Sequence, residues 1–222
     1  MGGESKTPDR AAHKPRSASE HPRRGVVVAV SGPSGVGKGT VIARLQELAP
    51  SVLHSVSVTT RPMRAGEKEG VDYYFRTREQ FDAMLARGEI LEHDEYCGNC
   101  YGTPKAPVVD AIGAGHDVVM DITVPGSLTV FERFPEAVGV FLLPPSFSEL
   151  RSRLRKRGTE DDKAMEARLA KAVEEVGRTS RFAYAIVNDD VDRSARAILS
   201  ILEAERCRYE RVAGIEQRVL DT

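Results

Sequence analysis

Residues 26–40 read VVVAVSGPSGVGKGT. The first five form an unbroken apolar run, rich in β-branched side chains and closed by Ser and Gly. That pattern suits a strand buried on both faces, as in a parallel sheet. The glycines that follow, Gly32, Gly35 and Gly37, let a backbone wrap closely around a polyphosphate. Its amides then point inward at the start of a helix, where the dipole also favours an anion. Lys38 can reach the outer phosphates. A hydroxyl normally follows this lysine and meets Mg²⁺, but here stand Gly39 and, one place late, Thr40. The metal must then be held by water and phosphate oxygens, or with help from Thr40, since Mg²⁺ keeps several of its waters. The helix is visible in TVIARLQELAP (40–50), with Val41, Ile42, Leu45 and Leu48 at helical spacing and Pro50 as a stop.

Outward from this unit the same alternation repeats. HDVVMDI (116–122), AVGVFLLPP (137–145) and YAIVND (184–189) are short apolar runs ending at polar or proline punctuation. Helical patterns over about 104–114, 126–133, 146–157, 162–179 and 193–212 separate or follow them. Strands alternating with helices imply right-handed βαβ units: an α/β fold with a parallel sheet flanked by helices. From 55 to 102 the rhythm breaks. HSVSVTTRP, VDYYF and EHDEYCGN read as short strands, and TREQFDAMLARG as a helix with Thr77 as N-cap and Gly88 as C-cap. This is a small subdomain inserted into the core.

The chain has 222 residues and a net charge of −1, so one domain is expected and no global basic field recruits nucleic acid. Three cysteines argue against a disulfide framework and for a reducing compartment, the cytoplasm. No apolar run approaches the ~20 residues of a membrane helix. Residues 1–24 have no hydrophobic signal region and are rich in Pro, Ser, Arg and Lys, which predicts a disordered extension.

The acceptor side is written in SVSVTTRPMRAGEKEGVDYYF (55–75). Arg61 and Arg64 flank a stiffening Pro, and with the Tyr73 hydroxyl they make a clamp for a phosphate monoester. Here the chain resembles the guanylate kinase family, from about residue 26 to 211. SGPSGVGKGT resembles the family's phosphate loop, in which Gly-Lys-Gly-Thr occurs. TTRPMRAGEKEGVDYYF resembles its signature and is the more specific match. GEILEHDEYCGNCYGTP, RGTEDDKAMEARL and IVNDD are similar to further family segments.

The resemblance implies a P-loop NTPase core (25–54 and 103–213), a GMP-binding insert (55–102), a helical lid (about 153–175) and a C-terminal tail (214–222). It implies ATP and GMP as substrates, with Mg²⁺ accompanying ATP. Gly32, Pro33, Ser34, Gly35, Val36, Gly37, Lys38, Gly39 and Thr40 would hold ATP, with Asn188 near its base. Ser57, Arg61, Arg64, Tyr73 and Tyr101 would hold the GMP phosphate and its surroundings. Glu92 would accept hydrogen bonds from guanine N1 and N2, and Thr103 would face the carbonyl side. Arg153, Arg157 and Arg168 would approach the transferring phosphoryl group, with Lys38. A homo-oligomer stays open, and no nucleic acid or membrane partner is expected.

One segment departs from the family pattern. In VVMDITVPGS the usual two acids, one apart, and the later Gln are represented by Asp121, Thr123 and Pro125. Asp121, ending a core strand beside the loop, suits the metal's water shell. Losing the second acid should weaken GMP binding or loosen base choice unless Asp94 or Glu95 replaces it. Thr123 therefore keeps open a related kinase acting on another small phosphate ester, such as ribose 1,5-bisphosphate. A non-catalytic binding module is the third reading, opposed by the intact Lys38. CGNC (97–100) lacks two further ligands at zinc spacing.

Overall fold

The computed structural model describes residues 24–96, 98–157 and 162–221. The expected extension, apart from Arg24, therefore lies outside the described residues, as do Cys97 and the side chain of Arg157. Among the described residues no helix is long and apolar enough to cross a membrane.

Five strands form the core sheet: β1 (Val27–Ser31), β2 (Leu53–His54), β7 (Val118–Asp121), β8 (Val138–Leu143) and β9 (Tyr184–Val187). Their order is β2-β7-β1-β8-β9, and every pair is parallel. Alternation along β1 explains why it is apolar throughout. Val26, Val28 and Val30 pack on one side with α1 (Lys38–Leu48) and α7 (Val191–Arg206). Val27 and Ala29 pack on the other with Val108 and Ile112 of α3 (Lys105–Gly113) and Val130 of α4 (Val124–Arg133). A strand covered on both faces has no polar side to show. The entry of the sheet is pinned by buried Asp117, which accepts the Val26 amide at 2.8 Å and pairs with Arg206 at the end of α7.

The insert forms a second sheet, ordered β4-β3-β6-β5, from β3 (Val58–Thr59), β4 (Tyr74–Phe75), β5 (Ile90–Tyr96) and β6 (Asn99–Pro104). Phe81 of α2 (Arg78–Ala86) is its apolar anchor, packed with Val58, Ile90 and Cys100. Two bulky apolar positions on short strands cannot hold a sheet alone, so the helix is needed to cover it. Thr77 caps α2 through a capping box with Gln80.

Several boundaries differ from the sequence reading. The stretch HSVSVTTRP is not one strand: His54 ends core strand β2, while Val58 and Thr59 belong to the insert. Arg87, not Gly88, is the C-cap of α2, and Gly88 follows it at φ +69°, the left-handed position a Gly accepts without a Cβ penalty. β6 runs on to Pro104, so the insert's sheet crosses the expected boundary at 103. α7 stops at Arg206, well short of 212, and the chain then makes a 3₁₀ turn at Tyr209–Arg211. The expected tail carries a short helix, α8 (Ile215–Leu220).

α4 starts two residues earlier than its periodicity suggests. Thr123 is its N-cap, with Oγ1 accepting the Gly126 amide at 3.2 Å, and Pro125 stands in the first turn. A first-turn amide has no intrahelical acceptor, so Pro costs nothing there. The two residues that break the family pattern are thus a working helix start.

Candidate active site

The carboxyl ends of β1, β7, β8 and β9 point to one edge of the core sheet, where open α/β sheets bind their ligands. The phosphate loop leaves β1 there. Gly35 and Gly37 stand at φ +86° and +102°, which an L-residue rarely adopts. Space requires them as well: a Cβ on Gly35 would meet Leu154 at 2.8 Å, and one on Gly37 would meet Asn188 Nδ2 at 2.9 Å.

The loop is braced from outside. Asn188, buried at the end of β9, donates Nδ2 to Val36 O at 2.8 Å, and its Oδ1 accepts the Ser194 hydroxyl at 2.9 Å. Both ends of its amide are committed, so its side chain supports the loop rather than reading a base. Arg153, on α5 (Phe147–Arg157), donates to Val36 O at 3.1 Å, to Asn188 O at 3.3 Å and to Glu149 at 2.9 Å. It stands with Thr40, Gly35, Gly37 and Asn188 around a pocket of about 300 Å³ on the outer side of the loop. Arg168, on α6 (Asp162–Val176), donates to Ser34 Oγ at 3.0 Å. α5 and α6 are held together by Leu150, Leu154, Leu169 and Ala172.

On the inner side, Lys38 Nζ donates to Gly32 O at 3.1 Å and lies 4.0 Å from Asp121 Oδ1. Asp121 Oδ2 is 3.9 Å from where a Cβ on Gly39 would stand. The position that normally carries the metal-binding hydroxyl therefore faces this carboxylate across open room. Thr40 belongs to the outer pocket and is not brought to Asp121. One carboxylate, open room and a neighbouring lysine suit a hard cation that arrives with phosphate oxygens and keeps its waters. Among the described residues there is no cluster of three or more His, Cys, Asp or Glu that would make a protein-only metal cage.

Across from the loop, a cleft of about 520 Å³ separates the two sheets. Ser57, Arg61, Arg64, Tyr73, Glu92 and Tyr101 line it from the insert, and Asp121, Ile122 and Thr123 from the core. Arg61 is held in place by Glu67 through two bonds of 2.7 and 3.1 Å, and lies over the Tyr73 ring at 5.4 Å. Glu67 also accepts the Arg64 amide at 2.8 Å. The bond from Arg61 holds the Glu67 carboxyl below the usual range. The Arg64 guanidinium has no ion-pair partner among the described residues. Tyr73 and Tyr101 meet edge-on at 6.0 Å, and burial pushes the Tyr73 phenol up. Glu67, which braces Arg61 at the cleft wall, was not among the residues expected from the sequence. Its signal was an acid following two arginines across a turn.

Glu92 is only 3% exposed, yet it lines the cleft. Its Oε1 accepts the Thr103 hydroxyl at 2.6 Å. Oε2 lies against Gly126 in the first turn of α4, where any Cβ would collide with it. Burial pushes the Glu92 carboxyl above the ordinary carboxylate range, and the Thr103 bond acts against that. Thr103 is fully buried behind Glu92 and does not line the cleft. A second carboxyl, Glu175 on α6, is likewise pushed up by burial, against the charges of Lys171 and Lys38 and the Ser34 amide.

Known proteins resemble this chain over most of its length. A family model described as guanylate kinase matches residues 23–205. A guanylate kinase of Lactococcus lactis subsp. lactis is 48% identical over 189 residues, which span 85% of this chain and 92% of its own. One of Desulfitobacterium hafniense is 45% identical over 195 residues, 88% of this chain and 98% of its own. The crystal structure of guanylate kinase from Anaplasma phagocytophilum aligns with a TM-score of 0.73 at 36% identity, covering 88% of this chain and 93% of that one.

Proposed function

The chain belongs to the guanylate kinase family, and from that premise we propose how its two pockets divide the transfer of a phosphoryl group from ATP to GMP. The enzyme is a phosphotransferase of the guanylate kinase type, acting on ATP and GMP. ATP lies along residues 32–40, with its triphosphate over the loop amides and its base toward the pocket beside Arg153 and Asn188. GMP enters the cleft between the sheets. Its phosphate is taken by Arg61, Arg64, Tyr73, Tyr101 and Ser57, and its base by Glu92.

The observation that carries this reading is the buried Glu92 carboxylate, fixed by Thr103 and opened to the cleft beside an arginine clamp. Guanine offers donors at N1 and N2, and adenine does not. A buried acceptor left without a donor is costly, so the site rejects adenine. A sugar phosphate has no base to bring those two donors to it. Thr103 acts as a positioning residue for Glu92. Phosphoryl transfer needs alignment and positive charge around the γ-phosphoryl more than covalent help. Lys38 supplies charge from the loop, and Arg168 from the lid, with Arg157 a further candidate there. Glu67 fixes the fork of Arg61 so that its orientation is set before substrate arrives.

Mg²⁺ bound with ATP would neutralise charge on the β- and γ-phosphates, and Asp121 would hold it through its water shell. Asp121 and Lys38 share the room opposite Gly39, which supports that assignment. Closure of α6 over the loop would keep water from accepting the phosphoryl group.

A coupled assay of ADP release, offering GMP, dGMP, AMP, UMP and ribose 1,5-bisphosphate in parallel, tests the assignment. Turnover should be highest with GMP, and near background with AMP, UMP and the sugar phosphate. Preference for the sugar phosphate would overturn it.

A further inference from the structure

One carboxylate in the acceptor cleft has no part in the roles assigned above. Asp94 stands two residues after Glu92 on β5, so both side chains leave the same face of the strand, and both line the cleft. Its Oδ1 accepts the amide of the next residue, Glu95, at 2.8 Å. Its Oδ2 has no hydrogen-bond partner among the described residues, and no cation pairs with it there. Its charge is felt by Glu92 on its own strand and by Glu175 on α6, as befits a group that looks into the cleft and toward the lid. Covering such a group with a ligand is costly unless the ligand gives it a hydrogen bond.

Its place along the strand says which part of a nucleotide it meets. Opposite Glu92 in the register stands Thr103; opposite Asp94 stands Tyr101, whose ring belongs to the phosphate clamp. Asp94 is therefore one step from the base reader toward the clamp. The hydrogen-bond donors a guanine nucleotide presents between those ends lie along its sugar edge: the 2-amino group and the 2′-hydroxyl. Two neighbours are ruled out as the second acid of the site. The Thr123 hydroxyl is used as the α4 cap. Glu95 is exposed and faces Arg78 at 3.8 Å, outside the cleft.

We propose that Asp94 is the second carboxylate of the acceptor site, standing in for the acid missing at position 123 and accepting a hydrogen bond from the sugar edge of the bound guanine nucleotide. This rests on the reading of the cleft as the GMP site.

The test is steady-state kinetics of Asp94→Ala and Asp94→Asn with GMP, with IMP, which lacks the 2-amino group, and with dGMP, which lacks the 2′-hydroxyl. For Asp94→Ala, KM for GMP should rise about tenfold, the scale of a hydrogen bond to a charged group. kcat and the KM for ATP should stay within about twofold, which reports an intact fold. Asp94→Asn, which keeps one acceptor oxygen, should fall between. One of the two analogues should lose its sensitivity to the substitution: IMP if the partner is the 2-amino group, dGMP if it is the 2′-hydroxyl. Adding Thr123→Asp to Asp94→Ala should recover much of the lost affinity. A KM for GMP within twofold of the parent, an equal rise with all three nucleotides, or a double variant no better than the single would each overturn the proposal. Failure of the parent enzyme to turn over GMP would instead strike the reading of the cleft itself.

Discussion

Two residues of the proposed mechanism can be tested singly. Lys38 sits in the first turn of α1 with its ammonium between Gly32 O and Asp121. A charge so placed matters most when negative charge builds up on the transferring group. Lys38→Ala should therefore lower kcat by about a thousandfold, with a much smaller change in KM for GMP, as read from full kinetic profiles. Near-normal turnover would remove the loop from the mechanism. Glu92 makes a prediction in pH. Its carboxyl must be ionised to accept two guanine donors, and burial raises its pKa. The fall of kcat/KM for GMP on the acid side should thus begin at a higher pH than an ordinary glutamate, near 4.3, would give. Thr103→Val removes a donor that favours the ionised form, so it should move that limb higher still. For folding the sign is the reverse of a salt-bridged acid. Ionised Glu92 costs stability above its raised pKa, and the cost disappears as pH falls through it. Glu67, whose carboxyl is lowered by Arg61, supports the fold above the unfolded glutamate pKa and loses that effect as pH drops through its own.

At the scale of elements, α4 joins the fold to the site. Thr123 caps it, Pro125 sits where no amide is needed, and Gly126 leaves the room that Glu92 Oε2 occupies. Arg133 at its far end donates to Leu91 O at 3.1 Å and ties the helix to β5. Gly126→Ala should be favourable or neutral for the helix itself, since Ala is the better helix former by about 1 kcal/mol. The added methyl must nonetheless displace the Glu92 carboxylate. KM for GMP should rise tenfold or more while the thermal midpoint moves little; a variant with unchanged KM would show that Glu92 can shift without loss. None of this was visible in VVMDITVPGS read against the family pattern, where Thr123 and Pro125 looked like losses. The acids there are matched by type, whereas a cap is recognised only when the helix start is known. The apolar strands β1, β7 and β8 were legible because burial on both faces writes an unbroken hydrophobic run, and the half-exposed edge strand β9 was legible from its short apolar run before polar punctuation. The two-residue strands β2 and β3 were not resolved from one another, since periodicity needs more length than that. Arg61, Arg64 and Tyr73 could be read as a set because they are close in sequence. The bracing of Asn188 and Arg153 against Val36 spans more than a hundred residues and leaves no local trace.

Across the whole molecule, three bodies surround the proposed nucleotide sites: the core sheet, the insert sheet and the α5–α6 pair. The core and insert touch through α4 and β5, with the cleft between them. α6 reaches the loop through Arg168 and Ser34. A ligand that spans both nucleotide sites contacts all three bodies, and its binding energy adds to their cohesion as well as to the fold of each. A bisubstrate compound, adenosine and guanosine joined by an oligophosphate, should therefore bind more tightly and raise the thermal midpoint more than ATP or GMP analogues at equal concentration. At a hundredfold excess over its Kd the gain is about 2.7 kcal/mol, or roughly 5–10 °C for a chain of this size. Arg168→Ala loses its bond to Ser34 in the free protein, so its midpoint is compared with and without ligand; the variant should also lose part of the extra shift, the part that comes from phosphate lying beneath the arginine. If the bisubstrate shift survives Arg168→Ala in full, α6 does not close on the bound nucleotides through that arginine, and the charge at the transferring group must come from elsewhere on the lid.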